Sequence, residues 1–95
     1  MIDKLVFVPK EERTTPYIMT KFEFARIMEI RVTQIEYGSP ILVDYTKDMT
    51  TLEIAIKELM NKKLNFTIRR YMFGSGTVEE FHVNELDTSQ HTNKI

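Results

Sequence analysis

Thr20-Lys21-Phe22-Glu23-Phe24-Ala25-Arg26-Ile27-Met28-Glu29-Ile30-Arg31-Val32-Thr33-Gln34-Ile35-Glu36-Tyr37-Gly38-Ser39-Pro40 is the stretch whose reading decides the fold. Thr20 and Glu23 stand at capping-box spacing, in which the Thr hydroxyl accepts from an orphan amide and the Glu carboxylate reaches back to the cap. A helix therefore starts at Thr20 and runs until Gly38-Ser39-Pro40 stops it. At about 100° per residue, Phe24, Ala25, Met28, Val32 and Ile35 gather into one apolar stripe, assigned to the domain's own core. A second, broken stripe of Phe22, Ile27, Ile30 and Tyr37 falls on the other side, among Glu23, Arg26, Thr33 and Gln34. That is more apolar surface than solvent normally meets, and it reads as a face for a partner. On this assignment Glu in place of both Ile27 and Ile30 releases the partner and leaves the isolated domain nearly as helical.

Moving towards the C-terminus, Ile41 to Tyr45 is a short β-type run, either a strand or an extended connector. Thr50-Thr51-Leu52-Glu53 repeats the capping-box spacing and opens a second helix, with Leu52, Ala55, Ile56, Leu59 and Met60 on one stripe. Glu53/Lys57 and Glu58/Lys62 have the i, i+4 spacing of exposed ion pairs outside that stripe. Phe66 to Met72 and Thr77 to Val83 are rich in β-branched and aromatic residues and flank the turn chemistry of Phe73-Gly74-Ser75-Gly76, the pattern of a hairpin. Asp87 to Ile95 is polar and aperiodic and reads as a frayed tail. On the N-terminal side, Pro9 and Pro16 hold Met1 to Tyr17 as extended chain around a charged turn. The expectation is an α+β single domain, with an extended N-terminal arm over 1–19, a domain of two amphipathic helices followed by a β-hairpin over 20–86, and a polar tail over 87–95.

The chain has 95 residues, 42% of them hydrophobic and 28% charged, which is globular composition with room for one core and excludes a two-domain enzyme. Thirteen Lys and Arg against fourteen Asp and Glu leave a formal charge of -1, so no global field attracts nucleic acid or an anionic membrane. Cysteine is absent, which removes disulfides and thiolate chemistry. With neither a signal-type N-terminus nor a bilayer-length apolar run, an intracellular soluble protein is expected.

The residues also argue against catalysis. His82 and His91 have no metal-ligand spacing and read as a strand-surface residue and a solvent-exposed tail residue, so neither metal nor cofactor is expected. Ser39, Ser75 and Ser89 fall at a helix end, a turn and the tail, away from any base. Glu11/Glu12 and Glu79/Glu80 are sequence neighbours that point apart in extended chain and read as solvated faces. Arg69-Arg70-Tyr71 is the one basic-aromatic cluster, and the alternative it supports is a small RNA-binding module, since guanidinium groups pair with phosphates and tyrosine stacks on bases. Two arginines on a strand point to opposite faces, which favours protein contact over RNA.

Several blocks in series carry a resemblance. Thr14-Thr15-Pro16-Tyr17, Thr20-Lys21-Phe22-Glu23-Phe24-Ala25-Arg26-Ile27, Arg31, Gln34-Ile35, Ser39-Pro40-Ile41-Leu42-Val43-Asp44, Leu52 to Leu59, Lys62-Lys63-Leu64, Ile68-Arg69-Arg70-Tyr71 and Val83-Asn84-Glu85-Leu86 occur in order over roughly residues 13 to 86. Together they resemble the omega-type small subunit of multisubunit DNA-dependent RNA polymerases, the family of bacterial omega, archaeal subunit K and the shared sixth subunit of the eukaryotic enzymes. The resemblance implies a non-catalytic subunit that latches the C-terminal region of the largest subunit, with no direct contact to nucleic acid, no membrane and no homo-oligomer. The partner-binding residues it implies are Thr20, Lys21, Phe22, Arg26, Ile27, Ile30, Arg31 and Gln34 on the first helix and Arg69, Arg70 and Tyr71 on the hairpin. Thr20 is first a cap, and Arg26 and Arg31 have Glu23 and Glu36 as rival partners on their own helix.

The sequence departs from the family at three places. Glu29-Ile30-Arg31-Val32 stands where the family has a Gly-Thr-Arg-Ala block, Phe81 stands where it has a strand tryptophan, and the hairpin turn is one residue longer. The long acidic N-terminal tail of eukaryotic members is not seen ahead of the arm, and together with the divergence this would suit a virus-encoded polymerase subunit. A cellular eukaryotic subunit would work in the nucleus, a viral one in a cytoplasmic virus factory or the virion.

Overall fold

A computed structural model describes residues 6–72 and 74–92; the start of the arm, Phe73 of the hairpin turn and the last residues of the tail lie outside the described residues. Both capping boxes form. Thr20 Oγ1 accepts from Glu23 N at 3.1 Å and Glu23 Oε1 accepts from Thr20 N at 3.0 Å, opening helix α1 over Lys21–Glu36. Thr50 and Glu53 repeat the arrangement at 3.1 and 2.9 Å to open α2 over Thr51–Met60. At the end of α1 the chain turns through Gly38 at φ +101°, and Ser39 N donates back to Gln34 O while Gly38 N donates to Ile35 O, a Schellman closure. Lys62 closes α2 in the same way with φ +56°, a conformation that costs a side-chain-bearing residue roughly 1 kcal/mol or more.

Between the helices, Ile41 to Tyr45 is an extended connector without strand pairing. Strands β2 (Thr67–Met72) and β3 (Thr77–His82) form the expected antiparallel hairpin, in register from Thr67↔His82 to Met72↔Thr77. The arm contributes a two-residue strand, β1 (Val6–Phe7), which lies parallel to β3 and makes a three-stranded sheet in the order β1-β3-β2. Beyond β3 the chain is more structured than its composition suggests. Asp87 bridges to Ile18, Ser89–Thr92 make one helical turn, α3, and His91 Nε2 meets Met19 O at 2.7 Å while its ring stacks on Phe24. The frayed-tail expectation and the exposed reading of His91 fail because the arm supplies partners that composition does not reveal.

The core joins Ile27 and Met28 of α1, Ala55, Ile56 and Leu59 of α2, Phe81 of β3, Val83 and Leu86 just after it, Leu64, and Met19 of the arm. This corrects the face of α1. Ile27, expected on the outer stripe, is 4% exposed, whereas Ala25, expected in the core, faces solvent. The true inward face is Phe24, Ile27, Met28, Arg31, Val32 and Ile35, a regular 3,4 spacing with a charge in the middle of it. Arg31 reaches Glu58 of α2 through Nε to Oε1 at 2.6 Å and Nη2 to Oε2 at 2.8 Å. Glu58, read from spacing as an exposed partner of Lys62, is fully buried. Its Oε2 also accepts from Leu42 N at 2.9 Å, and Arg31 Nη2 donates to Pro40 O at 2.8 Å, so one ion pair ties both helices and the connector together. Burial alone would push the Glu58 carboxyl up, but Arg31 and the Leu42 amide outweigh it and hold the group below the ordinary range. Breaking such a pair strands a charge in the core, so Arg31→Met is expected to cost about 3–5 kcal/mol, read as the loss in urea-unfolding free energy. A change under about 1 kcal/mol would show that the pair is not what holds the helices.

Candidate docking surface

The arm and the hairpin are joined by polar contacts that decide which of the candidate residues remain available. Glu79 on β3 is 1% exposed, and its carboxylate accepts four hydrogen bonds: from Thr14 N at 2.8 Å, Thr14 Oγ1 at 3.1 Å, Thr15 N at 3.1 Å and Thr15 Oγ1 at 2.6 Å. Burial would raise this carboxyl, yet the amides and hydroxyls of Thr14 and Thr15 together bring it down to about 2. The solvated-face reading of Glu79 is therefore overturned; sequence reasoning missed it because its four donors lie more than sixty positions away. Arg13 pairs with Glu85 at 2.7 Å and also donates to Glu80 O, with its guanidinium carbon 4.4 Å from the centre of the Phe81 ring.

Arg70 is equally committed. It holds Glu23 through Nε at 2.8 Å and Nη2 at 3.0 Å, and it donates to Thr15 Oγ1, Pro16 O and Ile18 O. Its guanidinium carbon lies 4.6 Å from the Phe81 ring centre, so the ring that replaces the expected tryptophan carries two cations. Arg31 is spent on Glu58, not on Glu23 or Glu36, and Gln34 Oε1 accepts from Arg31 Nη1 at 3.1 Å. Thr20 serves as the cap. Of the sequence-derived set, then, Ile27, Arg31, Gln34 and Arg70 point into the fold.

Phe22, Arg26, Ile30 and Arg69 are the residues that the structure brings together on the outside, with Lys21 beside them over the Phe22 ring. They border a groove of about 380 Å³ between α1 and β2, floored by Ile27, Phe66 and Ile68. Phe22 is 76% exposed, and Arg26 has no ion pair among the described residues. Arg69 makes an exposed, easily exchanged pair with Glu80 at 2.9 Å, and its guanidinium carbon lies 5.2 Å from the centre of the Phe7 ring. Tyr71, 61% exposed, lies further along the same strand. Phe66, Thr67 and Ile68 are groove residues that the sequence reading did not single out; the apolar start of the hairpin strand was the signal for them. No cluster of metal-ligating side chains occurs among the described residues.

A surface of this kind, apolar, cationic at its rim and carried on a small α+β domain, is a candidate for docking protein. The chain's homologues are small subunits of DNA-directed RNA polymerases, which bears out the resemblance to the omega-type family. It is 46% identical over 79 residues to the "DNA-directed RNA polymerases I, II, and III subunit RPABC2" of Schizosaccharomyces pombe, covering 83% of this chain and 55% of that relative. The protein of that name in Saccharomyces cerevisiae is 46% identical over 80 residues, 83% of this chain and 50% of the relative. The "DNA-directed RNA polymerases II and V subunit 6B" of Arabidopsis thaliana is 42% identical over 85 residues, 88% of this chain and 58% of the relative. The chain thus spans about half the length of the curated relatives it matches. No family model matches it.

The Glu79 clasp has a pH signature. A carboxyl lowered on folding stabilises the folded state above its unfolded pKa, and that contribution is lost as pH falls through the folded value. Glu79 goes from an ordinary 4.5 to about 2. The stability advantage of the wild type over Glu79→Gln is therefore expected to be constant at neutral pH, about 1.5–3 kcal/mol for a charged acceptor, and to shrink as pH drops from about 4.5 towards 2. Paired urea titrations across that range measure it, and an advantage that does not change with pH would remove the clasp as its source.

Proposed function

We propose that this chain is a non-catalytic structural subunit of a multisubunit DNA-dependent RNA polymerase, and that it assembles with the enzyme by docking on the largest subunit and holding its C-terminal region. The observation that carries the reading is the open groove between α1 and β2, an apolar surface beside Arg26, in a chain whose homologues are named as polymerase subunits. Aromatic and arginine side chains are the types enriched where interfaces are strongest, and Phe22, Arg26 and Arg69 supply them at one place. The docking unit is residues 20–86, with the described part of the arm, residues 6–19, strapped across the hairpin and Lys21 and Tyr71 at the margins of the contact. Nucleotidyl transfer belongs to the assembled enzyme, and the subunit works in whichever compartment that enzyme occupies.

The RNA-binding alternative is disfavoured by one observation. Arg70 donates to Glu23, Thr15, Pro16 and Ile18, so Arg69-Arg70-Tyr71 offers a single available guanidinium rather than two.

Affinity purification of the tagged chain from its native cells tests the reading, with the recovered proteins identified by mass spectrometry. The wild type is expected to bring down the largest polymerase subunit, and Phe22→Ala/Arg26→Ala to recover at least tenfold less while melting within a few degrees of it. Ile27→Glu, by contrast, is expected to unfold the chain, because the new carboxylate would sit in the core. Recovery of no polymerase subunit by the wild type would end the proposal.

A further inference from the structure

The hairpin register determines what β2 shows at its free side. In an antiparallel pair, residues alternate between those that exchange both backbone bonds with the opposite strand and those whose N–H and C=O point away from it. Val83 N donates to Phe66 O at 2.9 Å, so that pair is of the first kind. Counting along the register from there puts Thr67, Arg69 and Tyr71 in the second. The other side of the hairpin agrees: Val78, opposite Tyr71, turns its carbonyl away from β2 and accepts from Val8 N of the arm.

The strand order β1-β3-β2 leaves β2 at the edge of the sheet. The outward amides and carbonyls of Thr67, Arg69 and Tyr71 therefore have no protein partner among the described residues. Thr67 and Arg69 border the groove, whose opposite wall is Phe22, Arg26 and Ile30. An unpaired strand edge next to an apolar trough is a template for another strand, with the main chain supplying affinity and the trough reading alternate side chains.

The geometry points to strand addition: an extended segment of another polymerase subunit lies in the groove as a fourth strand on β2, with apolar side chains towards α1 and a carboxylate against Arg26. The inference rests on the polymerase-subunit reading and adds how the partner is held. Charge decides the occupant's chemistry. Glu23, the only acid bordering the groove among the described residues, is neutralised by Arg70, and Arg69 is paired with the exposed Glu80, which leaves Arg26 as the unpaired charge a partner meets. A second copy of this chain is a poor occupant, because antiparallel pairing of two β2 edges about their middle would bring Arg69 against Arg69.

Proline scanning separates main-chain pairing from side-chain contact. At Thr67 and Tyr71 the N–H points outwards, so proline removes a donor from the free edge and none from the β2–β3 ladder. Tagged Thr67→Pro and Tyr71→Pro are expected to recover at least tenfold less polymerase than Thr67→Ala and Tyr71→Ala. Recovery equal to that of the alanine variants would overturn strand addition. Hydrogen exchange on the wild-type chain gives a second reading that does not depend on the proline variants folding: the outward amides of Thr67, Arg69 and Tyr71 are expected to exchange at least tenfold more slowly in the assembled polymerase than in the free chain. Amides that exchange equally fast in both would also overturn it, while leaving the subunit reading intact if polymerase is recovered. Recovery of a homodimer with a protected β2 edge would overturn it in favour of a second copy, and recovery of no polymerase at all would sink both readings.

Discussion

The buried pair of Arg31 and Glu58 is the constraint on which the arrangement of this protein depends. Two opposite charges withdrawn from water stay buried only if each is paired and its remaining hydrogen-bonding capacity is met. Here the guanidinium also meets Gln34 and the carbonyl of Pro40, and the carboxylate also meets the amide of Leu42. Satisfying those groups leaves little freedom in how α2 lies on α1 or where the connector runs. It also turns α1 about its axis, so that Ile27 goes into the core while Phe22, Arg26 and Ile30 border an open groove. The candidate docking surface is thus a consequence of where one ion pair is buried.

The same use of charge organises the other half of the chain. Glu79 gathers Thr14 and Thr15, Arg70 links Glu23 to the carbonyls of Pro16 and Ile18, and Arg13 links the arm to Glu85. These contacts bring a sequence-distant arm onto the hairpin, and Phe81 packs beneath both arginines. A formal charge of -1 built from thirteen cations and fourteen anions then takes on a structural meaning. Arg13, Glu23, Arg31, Glu58, Arg70, Glu79 and Glu85 serve as internal connectors, and the remaining surface cations, such as Arg26, stand among surface acids. This division suits a subunit that touches protein, because it leaves no broad cationic field while keeping individual cations at a groove rim.

Much of the fold was legible because its signals are local. Thr20 with Glu23 and Thr50 with Glu53 mark helix starts within four residues, Gly38 marks a helix end, and two β-branched runs around a glycine turn mark a hairpin. Four of the groove residues, Phe22, Arg26, Ile30 and Arg69, were singled out from the sequence for a related reason: apolar and cationic residues on a face already crowded with apolar groups call for a partner. The rest was not legible because periodicity counts Arg31 as polar and so assigns the stripe to one side of it. Glu58 next to Lys62 looks like an exposed pair for the same reason, and β1 and the ordered tail residues have too little pattern of their own to be seen.

The amino-acid sequence by itself determined the elements, their order, the α+β class and the kinship with polymerase small subunits, since each follows from residues close together or from an ordered series of blocks. Only the tertiary structure decided which face of α1 is inside, which arginines are spent and which strand edge is open. Those outcomes depend on pairs separated by tens of residues, where burial changes the sign of what a charge does: Glu58 and Glu79, polar surface residues in a linear reading, become the groups that hold the fold together.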